Sequence, residues 1–389
     1  MITKITNGVV ITDGKAVKTD VYFENGKITA VTNDNLPFDE CIDAGGNYVS
    51  SGLIEIHSHG AGGHDFLDNT EEAFFGAART HAEHGCTTII PTITSGSKEG
   101  MLEAIKLFES IKDKAHDGAN MVGLHLEGPY FSVNQKGAQE ERFIRDFDKE
   151  EYTEILSHEG IVLRWTGAPE KGGAEEFAKY LKERGILASI GHSDANCDTV
   201  RKAFKDGFTH VTHLYSAMST VHRINAFRYA GIVEAAYLLD DMTVEIICDG
   251  IHVPKDLIEF VYKFKKRENI VLTTDSMRGA GMGEGESILG SKDDGLPVII
   301  EDGVAKLLDR TAFAGSVCLC DRAVRTMKNL AEIPMEDAVV LMTKNPARIM
   351  NLKGKGDIKE GFDADIIIFN ENVDILRTVI GGRTVFVNE

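Results

Sequence analysis

The sequence has 389 residues, more than one compact core usually holds, so it predicts a large domain accompanied by a smaller one. Its 61 acidic and 42 basic residues give a formal net charge of -19, which argues against nucleic acid and against an anionic membrane surface as partners. The six cysteines form no CxxC pair, Met1–Asp13 lacks the features of a secretion signal, and no apolar run reaches the roughly 18 residues of a membrane span, so we expect a cytoplasmic protein with free thiols.

Both chain ends show short alternating segments separated by turn signals. Asp13-Gly14 and Asn25-Gly26 near the start favour tight hairpin turns, and Gly381-Gly382 marks a turn near the end. Neither end is long enough to bury a core alone, so we expect the two to pair into one small β-sandwich. The predicted division is residues 1–50 and 355–389 for the sandwich and residues 51–354 for the large domain.

Eight short apolar runs begin at about residue 48, and most are rich in β-branched residues, as buried parallel strands are. They are Tyr48–His57, Thr87–Thr94, Met121–Glu127, Ile161–Gly167, Ile186–Gly191, Phe208–His213, Thr243–Asp249 and Asn269–Asp275. Helical patterns are predicted at Glu71–His84, Lys98–Lys112, Ala174–Arg184, Asp198–Asp206 and Lys255–Lys266. This order favours the α/β class and a closed (β/α)8 TIM barrel, with an open doubly wound sheet as the alternative.

Two further helices are predicted after the eighth run, at Asp321–Leu330 and Pro334–Lys344. Proline suits the first position of a helix, where its missing N–H group is not needed. A β-like segment, Pro297–Leu308, precedes them. We expect this segment to form an excursion that returns near the active face of the barrel.

Side chains that can bind metal fall at the ends of six of the eight predicted strands. They are His57 and His59, His125 with Glu127, His192, His213, Asp249 with His252, and Asp275. In a (β/α)8 barrel the C-terminal strand ends converge on one face, where active sites lie. Scattered structural histidines would have no reason to choose these positions. His81 and His84, on a predicted helix, are instead expected at the surface.

Imidazoles and a carboxylate from separate strands match a divalent metal site that leaves one position open. We predict Glu127, His192 and His213 as ligands of Zn²⁺ or a similar ion. A carboxylate beside the attacking water can take its proton and hand it to a departing amine, which is the role predicted for Asp275. His57 and His59 either bind a second ion or orient the water, so both one and two ions per chain remain open. The predicted chemistry is hydrolysis of an amide bond.

These residues, in this order, resemble the amidohydrolase superfamily and, within it, the deacetylases that act on N-acetylglucosamine 6-phosphate. The similarity covers nearly the whole chain, and its most specific stretches are His125-Leu-Glu127-Gly-Pro-Tyr130 and Thr212-His213-Leu-Tyr-Ser-Ala-Met218. It implies a metal-dependent enzyme that releases acetate from an amino-sugar phosphate. It also implies contact of His252 with the sugar, and a homodimer in which the neighbouring subunit helps to hold the phosphate.

Three departures from the pattern of these deacetylases fall on substrate recognition and none on the metal residues. Gln139 stands where a sugar-binding His is usual, and Ser216, beside Ala217 at the phosphate position, stands where Asn is usual. The segment that usually supplies a phosphate-binding arginine carries Arg223 and Arg228, and either one can hold an anion or lie on the surface.

The chemistry is therefore predicted to be kept, with removal of the acetyl group from N-acetylglucosamine 6-phosphate as the first function to test. The departures leave a different N-acyl compound or a cyclic amide as the alternative substrate. A non-catalytic binding protein on a decayed barrel is disfavoured, since such a protein would be expected to lose metal ligands first, and here the set is whole.

Overall fold

Eight parallel strands, almost entirely buried, form a barrel in the computed structural model, which describes residues 1–388. Numbered β1–β8 in chain order, they are Leu53–Ser58, Cys86–Thr94, Leu124–Glu127, Val162–Gly167, Leu187–Ile190, Phe208–Val211, Thr243–Ile247 and Ile270–Thr273. Each strand pairs with the next. The ring closes just beyond β8, where the Asp275 N–H donates to the His57 carbonyl and Ser276 pairs with Ser58. The predicted TIM barrel is confirmed, and the doubly wound alternative is wrong.

Ten α-helices lie within residues 1–388. Numbered α1–α10, they are Glu71–Glu83, Lys98–Ile111, Lys149–Ile155, Ala174–Glu183, Cys197–Asp206, Ile232–Leu238, Lys255–Phe264, Cys320–Asn329, Met335–Leu341 and Lys344–Ile349. Side chains of Thr70, Ser97 and Asn196 cap α1, α2 and α5 by accepting backbone N–H groups of the first turn. All seven predicted helices begin within one residue of their expected starts, the last of them as α9, whereas α10 lies beyond the predicted segments except for its first residue.

The two chain ends form two sheets. One contains Thr3–Thr6, Asp20–Glu24, Lys27–Thr32 and Glu40–Asp43. The other combines Val9–Thr12, Lys15–Lys18 and Tyr48–Ser51 with Ile366–Phe369, Ile375–Ile380 and Arg383–Val387. Buried side chains of both sheets, among them Val21, Phe23, Val49 and Ile366, pack into one apolar cluster. The predicted sheet unit made from both ends is confirmed, while its boundaries at residues 50 and 355 stay a prediction.

Smaller β-elements decorate the barrel. The longest is a three-stranded sheet after β8, made of Gly285–Leu289, Leu296–Glu301 and Val304–Leu307, and it includes the predicted β-like segment. A hairpin of His222–Ile224 and Phe227–Tyr229 follows β6. Short strands lie at Gly60–Ala61, His64–Asp65 and Asn120–Met121. In the described part of the chain, no helix combines the length and the apolar character needed to span a bilayer.

The expectation of a surface position was wrong for His81. The residue is fully buried on the face of α1 that also carries Phe74, Ala77 and Ala78, one and two turns away. Its Nε2 lies 2.9 Å from the hydroxyl oxygen of Ser58 at the end of β1. Burial lowers the pKa of His81 to about 3, so the ring is neutral and serves as part of the packed core.

Candidate active site

A cavity of about 840 Å³ opens at the C-terminal end of the barrel strands. Residues that end or follow the strands line it, including His59 after β1, Ser95 after β2, Glu127 at the end of β3 and Asp275 after β8. Leu289 and Leu296, of the three-stranded sheet, form part of its wall, so this excursion does return to the active face. The cavity therefore lies where this fold places its active sites.

Glu127, His192 and His213 meet at the floor of the cavity, each more than nine-tenths buried. One carboxylate oxygen of Glu127, Oε1, lies 3.2 Å from Nε2 of His192 and 3.2 Å from Nε2 of His213. The two Nε2 atoms are themselves 3.2 Å apart. The structure thus brings the three residues that the sequence predicted as metal ligands into one group.

The hydrogen bonds of His192 indicate what kind of ligand Glu127, His192 and His213 could bind together. Its Nδ1 lies 2.8 Å from the Gln135 carbonyl oxygen, which can only accept, so Nδ1 carries a proton. In the tautomer that binds metal, Nε2 then presents a lone pair to the Glu127 carboxylate, and electron-rich atoms face one another. A divalent cation would satisfy these donors, and their ligand atoms all lie within 4.8 Å of one another. The residues present therefore fit a metal ion.

His57, His59 and Asp275 form a second group beside the first. Nε2 of His57 lies 3.3 Å from Oε1 of Glu127 and 3.4 Å from Oδ1 of Asp275. Nε2 of His59 lies 3.2 Å from the same Asp275 oxygen. Burial alone lowers the pKa of His59, but its hydrogen bonds to Asp275 and Glu127 outweigh burial and raise that pKa to about 9. Both histidines thus lie between two carboxylates, a position suited to holding an ion or to orienting a carboxylate.

Backbone geometry turns these side chains into the cavity. His192, His213 and Asp275 all have left-handed φ angles, of 50°, 31° and 48°. Such angles are unfavourable for residues other than glycine and persist only where the surrounding fold imposes them. Each of the three residues lies two positions beyond the end of a barrel strand, where the left-handed backbone redirects the chain and the side chain.

Sequence reasoning missed a buried charge network beneath the site. Glu245 on β7 is fully buried, accepts from Nδ1 of His57 at 2.7 Å and accepts a 2.6 Å hydrogen bond from Nη1 of Arg164 on β4. It also accepts the backbone N–H of His213 at 3.1 Å. Burial raises the pKa of Glu245, but the charges of Arg164 and His57 outweigh burial and lower that pKa well below its usual value. The available signal was a lone charged residue within an otherwise apolar strand.

Four of the six predicted substrate-binding residues line the cavity: His252, Ala217, Ser216 and Gln139. His252 is held by Asp249, whose Oδ2 lies 2.7 Å from its Nδ1. Arg223 and Arg228 lie elsewhere, paired across the exposed hairpin after β6. Neither arginine lines the cavity of its own chain, and the anion-binding role predicted for one of them stays a prediction. The hairpin carries both away from the barrel face.

Gln139 lines the cavity, but its side chain also contacts a predicted metal ligand. Its Nε2 donates to Oε2 of Glu127 at 3.0 Å. Gln139 was predicted to bind substrate because it stands where related deacetylases have a sugar-binding His. No pattern in the sequence indicated that its amide would reach a predicted metal ligand.

A third group, His81, Cys86 and Cys320, also has its ligand atoms within 4.8 Å of one another. Both thiols already have acceptors, since Cys86 Sγ lies 3.2 Å from the Thr88 carbonyl and Cys320 Sγ lies 3.9 Å from a Glu55 carboxylate oxygen. Burial raises the pKa of Cys320 well above its usual value, which keeps the thiol protonated. This group is packed core.

Residues 48–385 match the profile of the amidohydrolase family. An N-acetylglucosamine-6-phosphate deacetylase of Lysinibacillus sphaericus is 30% identical over 377 residues, which cover 96% of this chain and 95% of that protein. The crystal structure of N-acetylglucosamine-6-phosphate deacetylase from Pasteurella multocida is similar with a TM-score of 0.92 at 26% identity, and the match covers 100% of both chains. A variant of the Mycobacterium smegmatis enzyme in complex with N-acetyl-D-glucosamine-6-phosphate has a TM-score of 0.90 at 26% identity, covering 100% of this chain and 99% of that one.

Proposed function

Because the chain belongs to the amidohydrolase family and, within it, to the N-acetylglucosamine-6-phosphate deacetylases, we propose that it removes the acetyl group of N-acetylglucosamine 6-phosphate. The products are acetate and the amino-sugar phosphate. The observation that carries the proposal is the group of Glu127, His192 and His213 facing Asp275 across one cavity. A metal-ligand set next to a buried carboxylate is one arrangement that can catalyse hydrolysis of an unactivated amide.

Glu127, His192 and His213 would hold the divalent metal on which the family depends. We propose Zn²⁺, since two imidazoles and one carboxylate are typical of catalytic zinc sites. If the chain binds two ions, we assign His57 and His59 to the second. When bound, the ion supplies a Lewis acid for the amide carbonyl and lowers the pKa of the attacking water.

Asp275 is the proposed acid and base. It would accept the proton of the water that attacks the acetyl carbonyl carbon, and then deliver that proton to the sugar nitrogen as the C–N bond breaks. Burial raises the pKa of Asp275, but the charge of His57 and the hydrogen bond of His59 outweigh burial and lower that pKa. The carboxylate is therefore ionised and able to act first as a base.

His252, Ser216 and Ala217 would bind the sugar phosphate, since all three line the cavity on the side of β6 and β7. The cavity volume of about 840 Å³ lies in the upper part of the roughly 300–1,000 Å³ range of small-molecule sites. This volume favours one second candidate, an amide substrate with a larger N-acyl group. The proposed compartment is the cytoplasm, because all six cysteines are free thiols.

The direct test is acetate release from N-acetylglucosamine 6-phosphate by the purified, zinc-loaded protein. We expect one acetate and one free amine for each substrate consumed, and much slower release from N-acetylglucosamine, which lacks the phosphate. A protein that retains its metal and releases no acetate would contradict the proposed substrate. A series of phosphorylated amino sugars with longer N-acyl groups, assayed in parallel, would then show whether the second candidate holds.

We also propose that the working form is a homodimer in which the hairpin after β6 reaches the cavity of a second copy. The hairpin and the residue that precedes it expose large apolar side chains, with Val221 54%, Ile224 50% and Phe227 72% exposed. Within residues 1–388, Arg223 and Arg228 have no ion-pair partner, although they lie opposite each other on the two strands. Exposed apolar residues around unpaired cations suit burial against a second copy of the chain whose cavity holds an anionic phosphate.

The homodimer predicts complementation between two defective variants. A variant with Arg223 and Arg228 both replaced by Ala should raise KM for the phosphorylated substrate, and Asp275→Asn should lower kcat by about 10²- to 10⁴-fold. Mixed dimers of the two variants should regain activity, because one site in each then combines an intact Asp275 with intact arginines. Mixed samples that show no more activity at low substrate concentration than the two variants measured separately, in a protein shown by light scattering to be dimeric, would contradict the shared site.

A further inference from the structure

We propose that Gln139 is a positioning residue that fixes the orientation of the Glu127 carboxylate, so that one of its oxygens faces His192 and His213. The inference deepens the proposed function, because it concerns the same site. It replaces the expectation that Gln139 is primarily a substitute for a sugar-binding histidine. It is carried by three hydrogen bonds that fix the Gln139 amide in one orientation.

The orientation of the amide follows from its neighbours. The carbonyl oxygen of Gln139, Oε1, accepts from the Thr94 hydroxyl at 2.6 Å and from the Ser95 backbone N–H at 3.2 Å. A backbone N–H can only donate, so the oxygen end of the amide must face Ser95. The NH2 end then faces the Glu127 carboxylate, which can only accept. The contacts at both ends of the side chain therefore indicate the same orientation of the amide.

The two oxygens of Glu127 consequently have different partners. Oε2 receives the Gln139 N–H at 3.0 Å, a hydrogen bond strengthened by the charge of the acceptor. Oε1 is the oxygen that lies 3.2 Å from each of His192 and His213. Because the Thr94 and Ser95 contacts anchor Gln139 to the end of β2, the carboxylate is held at one angle. Its Oε1 is therefore directed at the histidines before any ion arrives.

Hydrogen bonds of this kind, to groups that bind a metal, typically strengthen metal affinity by about 10- to 100-fold. Gln139→Leu removes the donor and should weaken zinc binding by about that factor, measured by competition with a chromophoric chelator in the absence of substrate. It should lower kcat more than it changes KM, because Gln139 acts through Glu127. Asn134→Leu is the matched control, since Asn134 lies in the same loop and lines the same cavity, and it should leave zinc affinity unchanged.

Gln139→Glu provides a second variant of nearly the same shape, which places an oxygen instead of a donor against Glu127. It should also weaken zinc binding, and the melting temperature of the metal-free protein shows whether either variant is folded. Zinc affinity equal to that of the unmodified protein, with a raised KM for the sugar, would overturn the inference and make Gln139 a sugar-contacting residue. Since the affinity is measured without substrate, a failure of the proposed reaction would leave this result standing.

Discussion

Replacing Asp275 by Asn is expected to lower kcat for acetate release by about 10²- to 10⁴-fold, the usual contribution of a general acid and base. Asparagine keeps the shape of the side chain but cannot accept the proton of the attacking water. The fold should tolerate the change, because the φ angle of 48° at this position is one that Asn adopts nearly as readily as Asp. The measurement is steady-state acetate release by the zinc-loaded variant.

Two controls separate a catalytic effect from loss of the site. Elemental analysis should still find the zinc held by Glu127, His192 and His213, because these three residues are untouched, and the melting temperature should shift little. A variant that keeps its metal and also keeps near-normal kcat would show that the proton passes through another group. His57 and His59, both within 3.4 Å of the Asp275 carboxylate, would then be the candidates to replace next.

The barrel and its chemical face could be predicted because their signals are local and repeated. Buried parallel strands leave short apolar runs, and amphipathic helices with capping residues such as Ser97 and Asn196 leave recognisable starts. The helices α3 and α6 were not predicted: each has seven residues, less than two full turns of a pattern with period 3.6, and the Asp148 side chain that caps α3 was overlooked. The Gly231 cap of α6 also lacks a side chain that would mark the start.

The site was predictable in its residue types and not in its internal contacts. Ligand-type side chains at strand ends converge because the topology of the barrel brings those ends together, whatever the loops do. The contact of Gln139 with Glu127 depends on how the loop after β3 folds back over β2, and a single sequence carries no measure of that. The same holds for Arg223 and Arg228, whose residue types favour anion binding but whose hairpin leaves the cavity of its own chain.

His81 shows a pattern that was present and read wrongly. Its spacing from Phe74, Ala77 and Ala78 places it on the buried face of α1, so helical periodicity alone indicates burial. Polar character suggested a surface position, but the Ser58 hydroxyl gives one ring nitrogen a partner inside the core. A buried polar side chain with a hydrogen-bond partner is an ordinary feature of cores, and periodicity is the better guide at such positions.

Arg164→Met is expected to destabilise the protein by about 3–5 kcal/mol, the usual loss when one partner of a buried ion pair is removed. Arg164 is fully buried, and its guanidinium also donates to the Thr212 hydroxyl at 2.7 Å and to the Ile56 carbonyl at 3.2 Å. Removing it leaves the Glu245 carboxylate charged in the barrel interior without its arginine. The change in the free energy of unfolding is measured by urea denaturation followed by circular dichroism.

The double variant Arg164→Met with Glu245→Gln separates charge from packing. Glutamine can still accept from Nδ1 of His57 and removes the uncompensated charge, so the double variant should recover a large part of the lost stability. A double variant no more stable than Arg164→Met alone would show that packing and the other Arg164 hydrogen bonds dominate. Because Glu245 also accepts the backbone N–H of His213, Arg164→Met should weaken zinc binding as well, which links the stability of the barrel interior directly to the metal site above it.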